Sequence, residues 1–137
     1  MHDPVATILT TTRRIAIVGL SHNPSRPSHG VAAFLIARGY DVVGVNPALA
    51  GQTVLGRPVV ATLADAGPLD MVDIFRASDQ AGAVVRDAVA LGARTVWLQL
   101  GVIDPVATAA AEAVGLRVVV DRCPVIEWAR LRLPLRT

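Results

Sequence analysis

The stretch Ile15-Ala16-Ile17-Val18-Gly19 is a continuous apolar run that stops at a glycine, and a polar, proline-bearing segment follows it, Leu20-Ser21-His22-Asn23-Pro24-Ser25-Arg26-Pro27-Ser28. Such a run fits a strand buried on both faces. Beyond the loop, Val31, Phe34 and Leu35 fall on one helical stripe, and Gly39 is placed to end that helix. The unit is strand, loop at the strand's carboxyl end, then helix.

The rest of the chain repeats this rhythm. Upstream, Asp3-Pro4 reads as a cap and first helical residue, opening a short helix to about Thr12. Downstream, Asp41 to Asn46 is a second strand stopped by Pro47, and Met71 to Phe75 a third. Between them, Ala48 to Leu69 is punctuated by glycine and proline, with a short extra strand or turn near Val59 and a short helix near Ala64. Ser78 can cap a helix with Ala81, Val84, Val85 and Ala88 inward, closed by Gly92. Thr95 to Leu100 is a fourth strand, Asp104-Pro105 opens a helix running to Gly115, and Val118 to Val120 is a fifth strand. Ile126 to Leu131 closes the chain as a helical turn or two.

Five apolar strands separated by amphipathic helices require parallel pairing with right-handed crossovers. The expectation is an α/β, Rossmann-like, doubly wound open sheet of five main strands in the order 3-2-1-4-5. With no linker long enough to mark a second unit, residues 1–137 read as one domain with its core at about 14–131.

Composition narrows the chemistry. The chain has 137 residues, 53% hydrophobic and 18% charged, which is too apolar for disorder. It can bury roughly 70% of the surface exposed when unfolded. All thirteen basic residues are arginine. Without lysine, neither Schiff-base chemistry nor a Walker A phosphate loop is possible. Cys123 has no partner for a disulfide, and three histidines at positions 2, 22 and 29 offer no metal-ligand spacing. No apolar run approaches the roughly 20 residues that span a bilayer, and Met1 to Thr12 lacks signal-peptide character. The expected setting is cytoplasmic, with no membrane partner and no metal.

In a doubly wound sheet, ligands bind beyond the carboxyl ends of the strands where the strand order reverses. The order above puts that crevice between strands 1 and 4, facing Gly19 to Ser28 and Gln99 to Ile103, with Asn46, Phe75-Arg76 and Asp121-Arg122-Cys123 further out. Gly19 would let a ligand approach the backbone, or else permits tight helix–strand packing. The helix starting near His29 aims its amide donors and positive dipole end at the same place. Ser21, Ser28 and Arg26 add hydroxyl and guanidinium donors suited to phosphate. A dinucleotide site would show G-x-G-x-x-G here and an acidic residue after the second strand. This chain has Gly19-Leu20-Ser21-His22-Asn23-Pro24 and ends that strand in Asn46-Pro47.

Taken together, Gly19-Leu20-Ser21, Pro24-Ser25-Arg26-Pro27-Ser28, Val45-Asn46-Pro47, Leu55-Gly56, Asp73-Ile74-Phe75-Arg76, Trp97-Leu98-Gln99-Leu100-Gly101 and Asp121-Arg122-Cys123-Pro124 resemble the small stand-alone coenzyme A-binding proteins. Those are similar to the N-terminal domain of the succinyl-CoA synthetase α subunit. The resemblance runs from about Arg14 to Leu131. It implies CoA, or an acyl-CoA, held across the strand ends. Gly19, Leu20, Ser21, His22 and Asn23 would contact the diphosphate, with Ser21, Arg26 and Ser28 as side-chain donors. Val45, Asn46 and Pro47 would border the adenosine, Phe75 and Arg76 would flank it, and Gln99, Leu100 and Gly101 would run beside the pantetheine arm. The synthetase family carries a lysine near the end of its second strand, where this chain has Asn46-Pro47. Nor do 137 residues supply the synthetase's second domain, with its phosphorylated histidine, or its partner subunit.

No nucleophile–base pair has a spacing that demands catalysis, so no catalytic residue is assigned and a CoA-binding protein without enzyme activity is expected. Two other readings stay open: an NAD(H)-binding redox-sensing or oxidoreductase module, and a CoA-ligase subunit that needs a protein partner. Cys123 is either a redox handle able to form a mixed disulfide with CoA or an inert packed thiol, and the latter is preferred. Asp121 is expected to pair with an arginine, and Trp97 to lie in the core. Arg130, Arg132 and Arg136 near Trp128 give too few cations on one face for a nucleic-acid surface.

Overall fold

The computed structural model describes residues 3–134; His2 and Arg136 lie outside the described residues. The chain opens with α1 (Pro4–Thr11), capped as its sequence predicts: the Val5 N–H donates to Asp3 Oδ1 at 2.9 Å and Pro4 sits in the first turn. Then β1 (Arg14–Val18) leads into α2 (Pro27–Ala37), and β2 (Asp41–Val45) follows. A hairpin of β3 (Thr53–Val54) and β4 (Arg57–Val60) precedes β5 (Met71–Ile74). After these come α3 (Ser78–Ala90), β6 (Thr95–Leu98), α4 (Pro105–Ala113), β7 (Arg117–Val119) and α5 (Pro124–Leu131).

These strands form one sheet in the order β3-β4-β2-β1-β5-β6-β7, parallel throughout except for the β3–β4 hairpin. The α/β class and the Rossmann-like winding are as expected, but the strand assignment needs correcting. The segment Met71 to Phe75 does not lie beyond β2; β5 pairs with β1 on its other side, and β4 takes the place next to β2. With β4 counted third, the parallel strands run 3-2-1-4-5-6. The physical reason lies in burial. All of β5 is buried on both faces, which suits the middle of a sheet, whereas β4 carries Pro58 and touches β2 through only Gly44–Val59 and Val45–Val60. Interrupted by proline and only partly buried, β4 reads in sequence as a turn.

Alternate residues of the strands build two apolar layers. Ile15, Ile17, Val42, Met71, Trp97 and Val119 face α1, α2 and α5, while Ala16, Val18, Val43, Val72, Ile74, Val96 and Leu98 face α3 and α4. Trp97 is fully buried, as expected, and its Nε1–H donates to the Arg122 carbonyl at 2.8 Å. Small residues (Ala81, Gly82, Ala88, Ala107, Ala111) bring α3 and α4 close together over the second layer. Ser78 begins α3 rather than capping it: Ala77 holds the cap position. The Ser78 hydroxyl instead donates to the Gly101 carbonyl and accepts from the Ile103 N–H, tying α3 to the loop after β6.

The revised order moves the reversal point. It lies between β1 and β5, so Gly19 and the Phe75-Arg76 pair flank it directly, with Gln99 one strand further out.

Candidate functional site

A cleft of about 900 Å³ opens at this point, between α2 and α5 over the carboxyl ends of β1, β5 and β6. One part is polar: Ser21 and Arg26 from the loop after β1, Ser28 from the first turn of α2, and Arg76 after β5. The other part is apolar, formed by Val31 and Phe34 of α2, Phe75, Leu100, Val102, Val125 and Ile126, with Gln99 and Cys123 among them. Leu100 is 56% and Ile126 54% exposed, so this wall includes large side chains that the fold itself leaves uncovered.

The polar part is pre-shaped by its own hydrogen bonds. The Ser21 N–H donates to Ser28 Oγ and the Asn23 N–H to Ser21 Oγ, both at 3.0 Å. Each hydroxyl therefore accepts from the backbone and keeps its own proton free to donate outward. Asn23 Oδ1 accepts from Ser25, which fixes the tip of the loop. No side chain caps α2, whose cap position is Arg26; Pro27 has no N–H and the His29 and Gly30 N–H groups donate to the Arg26 carbonyl, so the Ser28 N–H is the first-turn amide left for an anion. Among the described residues, neither Arg26 nor Arg76 makes an ion pair, and both are exposed.

Gly19 has φ +92°, and a Cβ there would sit 2.5 Å from the Phe75 carbonyl oxygen. The missing side chain thus makes room for the neighbouring strand end. The close packing is against the end of β5 rather than a helix, and Gly19 also lines the cleft.

The sequence-derived contact residues fall into two groups. Gly19, Ser21, Arg26, Ser28, Phe75, Arg76, Gln99 and Leu100 line the cleft. Leu20, His22, Asn23, Val45, Asn46, Pro47 and Gly101 do not. Leu20 is 1% exposed and lies over Gly44, where a Cβ would collide with it. Val45 is buried in the layer under α3 and α4, and Pro47 and His22 are exposed. Asn46 is a bracket: its Nδ2 donates to the Leu20 carbonyl at 2.9 Å while its Oδ1 accepts from the Ala48 N–H. The Gly101 N–H donates to Asp121 Oδ1 at 2.7 Å, so Asp121 holds a backbone amide rather than the expected arginine.

Arg122 is likewise engaged. It and Arg130 both donate to Oε1 of the buried Glu127 at 2.8 Å. Burial alone would raise the Glu127 pKa, but the hydrogen bonds and charges of the two guanidiniums outweigh it and hold the carboxyl below its usual value.

Two polar side chains near the site lack partners. Gln99 is 6% exposed, and its buried Oε1 has no hydrogen-bond donor among the described residues. Asp73, on β5 next to Trp97 in register, is fully buried with neither oxygen bonded, and burial pushes its pKa well up. The cleft residues that sequence reasoning missed are mainly Val125 and Ile126 and the α2 positions Val31 and Phe34, which it read only as a helical stripe. The available signal was in α2, which is apolar on more than one side: Val31, Ala32 and Leu35 are buried while Phe34 and Ile36 are partly so. A helix with more apolar surface than one core contact needs has a second face to cover.

Residues 13–129 match the family model described as a CoA binding domain. The chain belongs to the CoA-binding domain family. Its relatives include an uncharacterized Bacillus subtilis protein, YneT, 35% identical over 117 residues that make up 85% of each chain. A Thermus thermophilus protein of solved structure is 36% identical and superimposes with a TM-score of 0.89, over 96% of this chain and 99% of that one. A hypothetical protein from Pyrococcus horikoshii is 34% identical, with a TM-score of 0.88 over 94% of this chain and 90% of its own. Within this CoA-binding domain no group of three His, Cys, Asp or Glu among the described residues is placed to hold a metal, and no described helix is long and apolar enough to cross a membrane.

Proposed function

We propose that the protein binds coenzyme A, or an acyl-CoA, in the cleft at the carboxyl ends of β1, β5 and β6, and does so without catalysing a reaction of its own. One observation carries this reading: in a CoA-binding domain, the unpaired Arg26 and Arg76 guanidiniums and the Ser21 and Ser28 hydroxyls, whose oxygens accept from backbone N–H groups and whose protons stay free to donate, converge beside an uncovered apolar wall. The anion donors suit phosphate groups. The apolar stretch through Val31, Phe34, Val125 and Ile126 suits the less polar arm of the same ligand. The adenosine contacts at Val45, Asn46 and Pro47 belong to this proposal too, as a strip outside the cleft. Asn46 could offer only what its two existing bonds leave over. For the 3′-phosphate of such a ligand Arg76 is better placed than Arg122, which already holds Glu127.

An NAD(H) module fits less well. The end of β2 offers Asn46, whose amide is engaged on both sides, where a carboxylate would receive ribose hydroxyls. A CoA-ligase role would need a partner subunit, and copurification of one would support it. Calorimetric titration with CoA, 3′-dephospho-CoA and NADH tests the reading. Saturable heat with CoA, weaker heat without the 3′-phosphate and little with NADH are expected. Tight NADH binding with no response to CoA would replace this reading with the nicotinamide one.

A further inference from the structure

The proposed CoA reading leaves Cys123 without a role, and its placement suggests one. Cys123 lines the cleft, half-buried, at the cap position of α5, with no side chain bonded to the first amides of that helix. Backbone contacts hold this corner: the Arg122 N–H donates to the Leu98 carbonyl, and Trp97 Nε1–H reaches the Arg122 carbonyl. Cys123 therefore stands by the carboxyl end of β6, and Gln99 lines the same cleft. From β1, where Ser21 and Ser28 stand, to β6 is two strand spacings, about 10 Å at about 4.8 Å per strand.

Gln99 supplies the second, independent observation. Its orphaned oxygen is a buried acceptor in the wall of the same cleft, and such an atom calls for an N–H or O–H donor from outside. The wall of one cleft thus holds anion donors, an unfilled acceptor and a thiol. A ligand that matches all three carries phosphate, an amide-bearing arm and a terminal sulfur. Building on the CoA reading, we infer that Cys123 is a thiol–disulfide exchange site for the disulfide form of CoA, with Gln99 Oε1 accepting from an amide N–H of the arm.

The step balances without an added oxidant. The Cys123 thiolate attacks one sulfur of CoA disulfide, a bond from Sγ to that sulfur forms, and the disulfide's own S–S bond breaks. The second CoA leaves as a thiolate and takes up the proton that Cys123 gave up. Because the described residues hold no other cysteine, the mixed disulfide persists until an outside thiol reduces it.

The test incubates the reduced full-length chain with CoA disulfide or with 2-hydroxyethyl disulfide and follows adducts by intact-protein mass spectrometry. One CoA moiety per chain is expected, lost on adding dithiothreitol and absent in Cys123→Ser. CoA disulfide should react at least tenfold faster than the small disulfide. Arg76→Ala should slow only the former, and Gln99→Leu should slow it less. Equal rates with both disulfides would overturn the proposal, leaving an ordinary exposed thiol. Calorimetry with CoA under reducing conditions separates the two claims: binding without an adduct refutes the exchange site alone, and the absence of both refutes the CoA reading with it.

Discussion

The two ends of the sheet carry similar side chains in opposite electrostatic settings. At the amino end a second cleft, about 670 Å³, is lined by Arg94 and Arg117 together with Asp70. Each of these arginines comes just after the carboxyl end of a helix: Arg94 after α3 and Arg117 after α4. Arg13 follows α1, and Arg38 is itself the last cap of α2, its guanidinium 4.1 Å from the Phe34 ring centroid. A cation there lies towards the negative end of the helix dipole. At the carboxyl end the arrangement inverts. Arg26 caps the start of α2 and Arg76 immediately precedes α3, so cations are added where helix dipoles are already positive. Arg26 and Arg76 thus add positive charge to the cleft at this end that a foreign anion would neutralise.

Glycine gives the largest expected contrast between the ends. Gly92, closing α3 at the amino end, has φ +78° and open space where a Cβ would stand; Gly19 has φ +92° and the Phe75 carbonyl in that space. Gly92→Ala therefore costs only the left-handed backbone strain, about 1 kcal/mol. Gly19→Ala adds a collision with backbone and should cost about 3 kcal/mol or more. Urea unfolding of both variants measures the difference, and equal losses would show that the β1–β5 contact is looser than described.

Ligand affinity sharpens the comparison next. Losing a charge-assisted hydrogen bond removes about 1.5–3 kcal/mol, so Arg26→Ala or Arg76→Ala should weaken CoA binding roughly ten- to hundredfold. Arg94→Ala and Arg117→Ala should leave the dissociation constant within about twofold. If the amino-end pair instead controlled affinity, the assignment of ends would be reversed.

Two carboxyls on one segment make the same point about unmatched groups. Asp70, at the amino edge of β5, accepts the Arg13 and Arg14 N–H groups at 3.0 Å; Asp73, inside the strand, accepts nothing. Burial raises the Asp73 pKa above its unfolded value, so the folded state holds a proton that the unfolded state has released. Stability should then fall as pH rises from about 4, the ordinary aspartate pKa, towards the raised one. Asp73→Asn should flatten that part of the profile in urea melts across this range. An unchanged slope would mean that the carboxyl finds a partner on ionising.

Much of this architecture was legible before any coordinates. The caps at Asp3 and Asp104, the buried runs of β1 and β5 and the stop at Gly39 rest on local signals, and local signals survive folding. The strand order did not, because β4 contains Pro58 and is held between β2 and β3 by two residue pairs on each side rather than by its own composition. The loop donors Ser21, Arg26 and Ser28 were legible for the same local reason. What was not is whether a polar group is already occupied. Asn46, Asp121 and Arg122 look as available in sequence as Arg76, and only tertiary hydrogen bonds to Leu20, Gly101 and Glu127 distinguish them.

The smallest effect tests the dipole argument itself, without ligand. Arg94→Ala and Arg117→Ala each remove a cation from a helix carboxyl end and should each lower stability by about 0.3–1 kcal/mol. Arg26→Ala and Arg76→Ala remove cations from helix amino ends and should leave stability unchanged or raise it slightly, so the sign is opposite at the two ends. Both effects depend on exposed charge and should fade at 1 M salt, where the screening length is about 3 Å. Losses of the same sign at both ends, persisting in high salt, would mean that these side chains act through packing of their apolar stems, and the electrostatic distinction between the ends would no longer hold.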